Sequence, residues 1–196
     1  MAQEESKEKE HPEDDSGYKV AERKSIAKIM EQDSADEALQ KYKANLIGDI
    51  KKVLIDENDK RQVFFDKLMI EPEGRDPISL DPSKLKADEV AFTLKEGCKY
   101  RVRIVFRVQR EIVLGLKKFD VISRKGITVD KTTQMMGAFA PSTEKSYEHP
   151  FPVEEAPSGM LYRGVYTAKT QFLDDDKTVH LAFQYQFRIG KDWSSE

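Results

Sequence analysis

Two stretches of the chain, 99–108 and 180–189, alternate between apolar and polar side chains. In the first stretch the polar positions include Arg101, Arg103 and Arg107. Successive side chains of a β-strand point to opposite faces of the sheet, so a period of two predicts a strand with one buried face. A helix would need apolar residues every three or four positions instead. The alternation therefore predicts β-structure for this part of the chain.

Turn signals separate these stretches from further candidate strands. Glu96 and Gly97 mark a turn between a strand that begins at residue 92 and the strand at 99–108, and an acidic turn at 174–177 precedes the strand at 180–189. Both turns are interpreted as the tips of antiparallel hairpins. Seven or more short strands, with helical patterns only upstream, predict a mainly β protein built as an all-β sandwich of about 135 residues. The further strands are predicted at 63–70, 112–122, 127–129, 134–139 and 161–172.

The first 60 residues differ in composition from the rest. They carry 16 acidic and 11 basic side chains but only two of the 18 aromatic residues, Tyr18 and Tyr42. Such a segment cannot bury enough apolar area to offset its ordering entropy, so residues 1–60 are expected to form a flexible arm and residues 61–196 the folded body.

Two short helices are nevertheless predicted within this arm. The residues Ile26, Ile29 and Met30 have helical spacing, and a second helix is predicted from about 35 to 47. Ser34 and Glu37 form a capping box at its start, and Gly48 ends it. Helices this short need a partner surface, which would be either the body of this chain or another protein.

Enzymatic chemistry has little support in the residue inventory. There are three histidines, with His11 in the arm, His149 in a predicted loop and His180 expected to be a solvated surface residue. No glycine-rich nucleotide-binding motif occurs, so neither catalysis nor a cofactor is expected. The single cysteine, Cys98, excludes an internal disulfide, and with three histidines it leaves too few ligands for a structural zinc site.

Charge and hydropathy narrow the partners and the location. The formal net charge is −3, whereas domains that bind nucleic acid are usually distinctly basic, so no nucleic acid partner is expected. No run of about 18 apolar residues exists to span a bilayer, and the acidic N-terminus does not resemble a signal peptide. These features predict a cytoplasmic protein without stable membrane insertion.

Two charged clusters allow alternative interpretations. The run Asp174, Asp175 and Asp176 could hold calcium, as in lipid-binding β-sandwiches, although aspartates in tight turns are ordinarily solvated. The arginine stripe on 99–108, extended by Arg110, could follow phosphates, but the outer face of a long strand is the favoured interpretation.

Several stretches of the chain together point to a known family. They are KSIAKIMEQDSADEALQKYKANLIG (24–48), FTLKEGCKYRVRIVFRVQREIV (92–113), RKGITVDKT (124–132), PVEEAPSGMLYRGVY (152–166), DDDKTVHL (174–181) and the terminal KDW (191–193). In this order they closely resemble the Rho GDP-dissociation inhibitors. The likeness covers most of the chain from about residue 18 to residue 193. It implies an immunoglobulin-like β-sandwich that holds the geranylgeranyl group of a GDP-bound Rho-family GTPase, and an arm that clamps its switch regions.

The resemblance also implies roles for particular residues. Contacts to the GTPase and its switch regions are implied for Ser25, Asp36, Tyr42 and Asp175, and contacts to its basic tail for Glu154 and Glu155. A monomer that forms a one-to-one heterodimer is implied, with inhibition of GDP release and extraction of the GTPase from membranes. The chain has Phe183 and Tyr185 where the family commonly carries tryptophan, so the preferred isoprenoid stays open. The isoprenyl pocket would be lined by Leu68, Ile70, Phe92, Tyr100, Phe106, Ile112, Leu116 and Tyr185.

Overall fold

The structure is a computed structural model that describes residues 55–56 and 58–193. Within these residues, nine strands and one short 3-10 helix, Pro82–Lys84, follow one another. The two predicted arm helices, and the predictions for Ser25, Asp36 and Tyr42, lie outside the described residues. The strands are β1 Val63–Pro72, β2 Ile78–Leu80, β3 Val90–Lys95, β4 Lys99–Val108, β5 Val113–Arg124, β6 Ile127–Phe139, β7 Tyr147–Glu155, β8 Gly164–Leu173 and β9 Val179–Gly190.

The strands form two sheets, which confirms the prediction of a mainly β sandwich. One sheet has the order β2-β1-β4-β7 and the other the order β3-β9-β8-β5-β6. Neighbouring strands are antiparallel except for β3 and β9, which are parallel. The inward side chains of both sheets meet in one apolar core, whose centre includes Ile104, Phe106 and Phe172. Among the described residues, no helix is long and apolar enough to cross a membrane.

One of the two predicted hairpins is confirmed and the other is wrong. The strands β8 and β9 pair in antiparallel register, with Thr170 opposite Phe183. By contrast, β3 pairs with β9 and β4 pairs with β1 and β7, so the turn at Glu96 and Gly97 crosses from one sheet to the other. The amide of Glu96 donates to Gly190 O at 2.9 Å and that of Gly97 to Ala156 O at 2.8 Å. A tight turn between two alternating stretches has the same sequence pattern in both arrangements, so periodicity could not separate them.

The strand β7 was missed because its sequence contains Pro150 and Pro152. Proline cannot donate to a sheet ladder and is found on edge strands, and β7 is an edge strand of its sheet. The two candidates at 127–129 and 134–139 belong to one strand, β6. His149 consequently lies in a strand and not in a loop. Its ring packs edge-on against Phe151, with the centroids 4.9 Å apart, and burial lowers its pKa.

The arginine stripe lies on the outer face of the sheet that contains β4, as the favoured interpretation predicted. Arg107 donates two hydrogen bonds of 2.8 Å to the carboxylate of Asp66. Arg103 reaches Glu148 Oε2 at 2.9 Å and Glu71 Oε2 at 3.3 Å. These bonds link β4 to both neighbouring strands, which gives the stripe a structural explanation.

The segment that precedes β1 is tied to the body through Gln109, whose side chain is fully buried at the end of β4. Its Oε1 accepts the backbone amides of Ile55 and Asp56 at 3.0 and 3.1 Å. Its Nε2 donates to the carbonyl oxygens of Asp59 and Arg61 at 2.8 and 2.6 Å. Because one amide group satisfies four backbone groups, residues 55–56 and 58–61 follow a fixed path here.

Candidate functional site

A cleft of about 360 Å³ opens between the two sheets at one end of the sandwich. The strands β4, β6 and β8 begin at this end, and β3, β5, β7 and β9 finish there. Both sheets therefore contribute side chains to it. The lining residues are Leu94, Tyr100, Ile122, Arg124, Val129, Asp130, Glu154, Glu155, Ala156, Pro157, Tyr162, Tyr166, Phe187 and Ile189.

The floor of the cleft is apolar and belongs to the core of the protein. Leu94, Tyr166, Phe187 and Ile189 are buried members of the core cluster. The rings of Tyr166 and Phe187 stack with their centroids 5.4 Å apart. Since these side chains come from three strands of one sheet, strand alternation is what turns them toward the cleft. A ligand that enters the cleft thus meets an apolar surface continuous with the protein interior.

Carboxylates stand beside this floor. Glu154 and Glu155 end β7, and Asp130 lies near the start of β6. The hydroxyl of Tyr100 donates to Glu154 Oε2 at 2.8 Å. Burial, and then the negative charge of Glu154, raise the pKa of Tyr100 above its ordinary value, so this hydroxyl stays a hydrogen-bond donor. The cleft combines an apolar floor with an acidic wall.

The loop between β7 and β8 is held against the cleft by two side chains. Arg124 donates to the carbonyl oxygens of Leu161 and of Arg163, the second at 2.5 Å. Glu96 accepts from the Arg163 guanidinium and from the Gly159 amide, the latter at 2.8 Å. These bonds also hold the pKa of Glu96 below its usual range, the Arg163 contribution being the larger. The loop at the mouth of the cleft is therefore anchored at both of its ends.

Seven of the eight predicted pocket residues lie in the cleft or in the core behind it, whereas Ile112 lies at the opposite end of the sandwich. Tyr100 lines the cleft. Ile112 lies in the connection between β4 and β5, where its carbonyl oxygen accepts from Gln62 Nε2 at 3.4 Å. The other six are buried in the core cluster, namely Leu68, Ile70, Phe92, Phe106, Leu116 and Tyr185.

Two of these buried residues lie directly behind the floor. The Phe92 ring stacks on Phe187 at a centroid distance of 5.6 Å and lies 5.9 Å from the Tyr185 ring. Residue-level reasoning missed several lining residues, including Leu94, Ile122 and Ile189. The alternation along β3 and β9 marks Leu94 and Ile189 as inward, but it does not show at which end of the sandwich the sheets separate.

Lys118 and Asp120 form a charged pair between the sheets that the sequence did not suggest. Lys118 Nζ lies 2.6 Å from Asp120 Oδ2, and the two side chains are 7% and 13% exposed. Thr170 Oγ1 donates to Asp120 Oδ1 at 2.6 Å. The ammonium also lies 4.4 Å from the ring centroid of Phe151, which belongs to the opposite sheet. A charged pair on β5 thus faces the aromatic ring of Phe151 across the interior.

The acidic turn between β8 and β9 lies at the other end of the sandwich, so the structure does not bring Asp175 together with Glu154 and Glu155. The carboxylate of Asp175 covers Gly115, where a Cβ atom would lie 2.0 Å from it. The prediction that His180 is solvated is wrong, because its side chain is buried with its Nε2 2.9 Å from Asp174 Oδ2.

The carboxylate of Asp174 points inward and bonds to protein groups, which argues against the alternative that the run 174–176 binds calcium. Asp174 Oδ1 accepts the Thr178 amide at 2.9 Å, while its other oxygen meets His180. In the described part of the chain, no group of three or more His, Cys, Asp or Glu side chains is placed to hold a metal ion. The alternative of a calcium-dependent lipid-binding module is accordingly not favoured.

Comparison with known proteins identifies the family. Residues 3–192 match the family described as "RHO protein GDP dissociation inhibitor". The chain is 43% identical to "Rho GDP-dissociation inhibitor 1" of Homo sapiens over 191 residues, which cover 95% of this chain and 91% of the relative. It is 39% identical to "Rho GDP-dissociation inhibitor" of Schizosaccharomyces pombe, over 89% of this chain and 86% of that protein. Rho GDP-dissociation inhibitor 1 of Arabidopsis thaliana is also 39% identical, over 86% of this chain and 70% of its own length. On the combined strength of the family match and these identities, the chain belongs to the Rho GDP-dissociation inhibitor family.

Proposed function

We propose that this protein binds a GDP-bound, geranylgeranylated Rho-family GTPase in a one-to-one complex in the cytoplasm. The cleft between the sheets takes up the isoprenyl group, and the arm at 1–60 contacts the switch regions through Ser25, Asp36 and Tyr42. Both contacts act together to retain GDP and to remove the GTPase from membranes. In this proposal the arm binds the switch regions, and the body at 61–196 binds the isoprenyl group.

The observation that carries the proposal is the apolar floor of the cleft, which is continuous with the core. A chain of about twenty carbons gains on the order of ten kcal/mol or more on leaving water, at ~0.8 kcal/mol per buried CH₂. Only an apolar slot of comparable quality can compete with a bilayer for such a group. A cleft of about 360 Å³ lies at the small end of ligand sites, which commonly measure roughly 300 to 1,000 Å³.

Uptake of a long isoprenoid therefore needs more space than the floor alone provides. The rings of Phe92 and Tyr185 lie directly behind Phe187. Rotation of these aromatic side chains would extend the slot into the region where the predicted pocket residues are clustered. This step makes the closed core behind the floor compatible with a pocket lined by Leu68, Ile70, Phe106 and Leu116.

The acidic wall suits the basic segment of the GTPase next to its isoprenyl group. Glu154, Glu155 and Asp130 beside the opening would attract a basic segment that precedes the isoprenylated end of the GTPase. Opposite charges at an interface mainly increase the rate and specificity of association. The same carboxylates would compete with anionic lipids for that basic segment.

Inhibition of GDP release requires no chemical step. An arm that binds the closed, nucleotide-retaining state of the switch regions more tightly than the open state slows release by that difference in affinity. The switch contacts would also keep other regulators of the GTPase away from the same surface.

A sedimentation experiment with liposomes tests the proposal. A geranylgeranylated, GDP-bound Rho-family GTPase on liposomes is mixed with this protein, and the GTPase in the supernatant is measured. Stoichiometric transfer that requires the isoprenyl group is the expected result, with an unprenylated GTPase as the control for contacts of the arm alone. Absence of transfer for several Rho-family members, with circular dichroism showing a folded protein, would overturn the proposal.

A further inference from the structure

Five large apolar side chains are exposed around the mouth of the cleft. They come from two segments, the start of β6 and the loop before β8, and are called the mouth rim below. Their exposed fractions are 70% for Ile127, 55% for Val129, 78% for Met160, 81% for Leu161 and 53% for Tyr162. Single exposed apolar residues are ordinary on protein surfaces, whereas a cluster of them marks an interaction site.

Side-chain hydrogen bonds to backbone carbonyl oxygens hold the two segments of the mouth rim in place. Arg124 pairs with Ile127 across the β5–β6 turn, and its guanidinium donates to the carbonyl oxygen of Leu161. The Tyr166 hydroxyl donates to Tyr162 O at 2.6 Å. Their main chains are thus anchored to the body while their side chains face outward.

The mouth rim is also continuous with the cleft, since Val129 and Tyr162 belong to both. A lipid chain that enters or leaves the cleft on this side passes between them. The exposed Lys125 lies in the turn between the two strands that carry Arg124 and Ile127, whereas Asp130, Glu154 and Glu155 line the cleft behind the rim, so the charges here are mixed. Tyrosine together with exposed aliphatic side chains is the composition found at the interfacial layer of a bilayer.

We infer that the mouth rim inserts into the interfacial layer of a lipid bilayer and so places the cleft directly against the membrane. This inference rests on the proposed uptake of an isoprenyl group by the cleft. A chain that moves from the bilayer into an adjacent cleft avoids crossing water, which is the costly part of the transfer. Two segments of two and three residues make a shallow contact, which suits a carrier that must leave the membrane again.

The first test separates transfer from binding. The variant Met160→Glu/Leu161→Glu removes the two most exposed apolar side chains, and Met135→Glu is the matched control because Met135 is 60% exposed in the middle of β6. Vesicles of phosphatidylcholine with about one fifth phosphatidylserine carry a fluorescently labelled, geranylgeranylated GTPase. The rate of GTPase release to this protein is expected to fall about tenfold or more in the double variant, as for loss of two apolar anchors, and to stay unchanged in the control.

Two measurements without vesicles show whether slower release in the double variant comes from lost membrane contact or from weaker binding of the ligand. Affinity for a soluble isoprenylated cysteine and for the prenylated GTPase in detergent should be the same in the double variant and the unmodified protein. If the double variant binds the prenylated GTPase in detergent more weakly than the unmodified protein does, the rim contacts the GTPase. That result would overturn the inference. If the unmodified protein fails to bind the soluble lipid, the proposed function itself fails, so the two failures are distinguishable.

A variant with the opposite expected effect shows that slower release in the double variant is not caused by misfolding. Leu161→Trp adds a side chain that favours the bilayer interface, so it should speed release from vesicles and increase weak sedimentation of this protein with them. Unchanged release rates in both Leu161→Trp and the double glutamate variant would overturn the inference.

Discussion

Lys118 and Asp120 place two charges between sheets that otherwise bury apolar side chains. Removing charges from water is costly, and their mutual attraction offsets that cost only with good geometry and further hydrogen bonds. Here the hydroxyl of Thr170 and the ring of Phe151 supply the additional contacts. The pair is therefore stable as a unit and costly to break.

Replacing only one member of this pair should destabilise the protein strongly. Lys118→Met leaves the Asp120 carboxylate buried without its cation, for which losses of about 3 to 5 kcal/mol in the free energy of unfolding are typical. The double variant Lys118→Met/Asp120→Leu should recover most of that loss, because it removes both charges. Urea unfolding measures these values, and a single variant as stable as the unmodified protein would show that the pair is hydrated.

Sequence pattern located many inward residues but not this pair. Alternation along β4 identified Tyr100, Ile104 and Phe106 correctly as the inward set. Along β5 the two lysines at 117 and 118 are adjacent, so the pattern does not indicate which one faces inward. Lys118 pairs with Asp120 of its own strand, but the pair is completed by Phe151 of β7 and Thr170 of β8, and such tertiary contacts have no local signature.

At the scale of elements, Gln109 fastens residues 55–56 and 58–61 to the end of β4. Composition assigned residues 1–60, and with them most of this segment, to a flexible arm, because none of these residues indicates a partner in the body. The partner is one glutamine about 50 positions away that satisfies four backbone groups. The path of residues that lead into the arm is thus determined by the body.

Loss of the Gln109 contacts should release this segment without unfolding the sandwich. Gln109→Leu keeps a side chain of similar size but removes all four hydrogen bonds, each unsatisfied buried group costing about 1 to 3 kcal/mol. Hydrogen exchange of the amides of residues 55 and 56 should become faster. Affinity for an unprenylated GTPase should fall, because the released arm has a lower effective concentration.

A matched variant, Gln184→Leu, tests whether this effect is specific to the contacts of Gln109. Gln184 is half-buried in β9, opposite Lys169, in the sheet that does not contain β4. It should leave the exchange rates and the affinity for the GTPase unchanged. Equal exchange rates in Gln109→Leu and the unmodified protein would contradict the assignment of Gln109 as the fastening residue.

For the whole molecule, the distribution of charge around the cleft matters more than the net charge of −3. The net charge predicted only that the protein does not bind nucleic acid. The family resemblance implied that Glu154 and Glu155 meet a basic tail, and the structure places both beside an apolar opening. That opening could not be read from the sequence, because it depends on how far two sheets separate at one end.

Neutralising the acidic wall should slow association with the GTPase. Glu154→Gln/Glu155→Gln keeps the acceptor for the Tyr100 hydroxyl but removes two charges, so the association rate at low salt should fall several-fold. The difference from the unmodified protein should shrink as salt approaches about 1 M, where the screening length is about 3 Å. Stopped-flow fluorescence measures both rates.

Glu148→Gln is a suitable control for this experiment. Glu148 lies on the same strand, β7, but pairs with Arg103 on the outer face. It should change the association rate much less than the double variant. Equal slowing by Glu148→Gln would show that only the overall charge matters.

The turn at Glu96 and Gly97 has a mechanical consequence for the cleft. Its two amides bond to Gly190 at the end of one sheet and to Ala156 at the end of the other, directly beside the opening. These two hydrogen bonds therefore connect the two sheets on this side of the cleft. Widening of the cleft would then be a rotation about this turn, with the largest displacement on the far side, where β5 ends and β6 begins at the mouth rim. A lipid chain would enter from that moving side, and the swing of the sheets would limit how thick a chain the protein accepts.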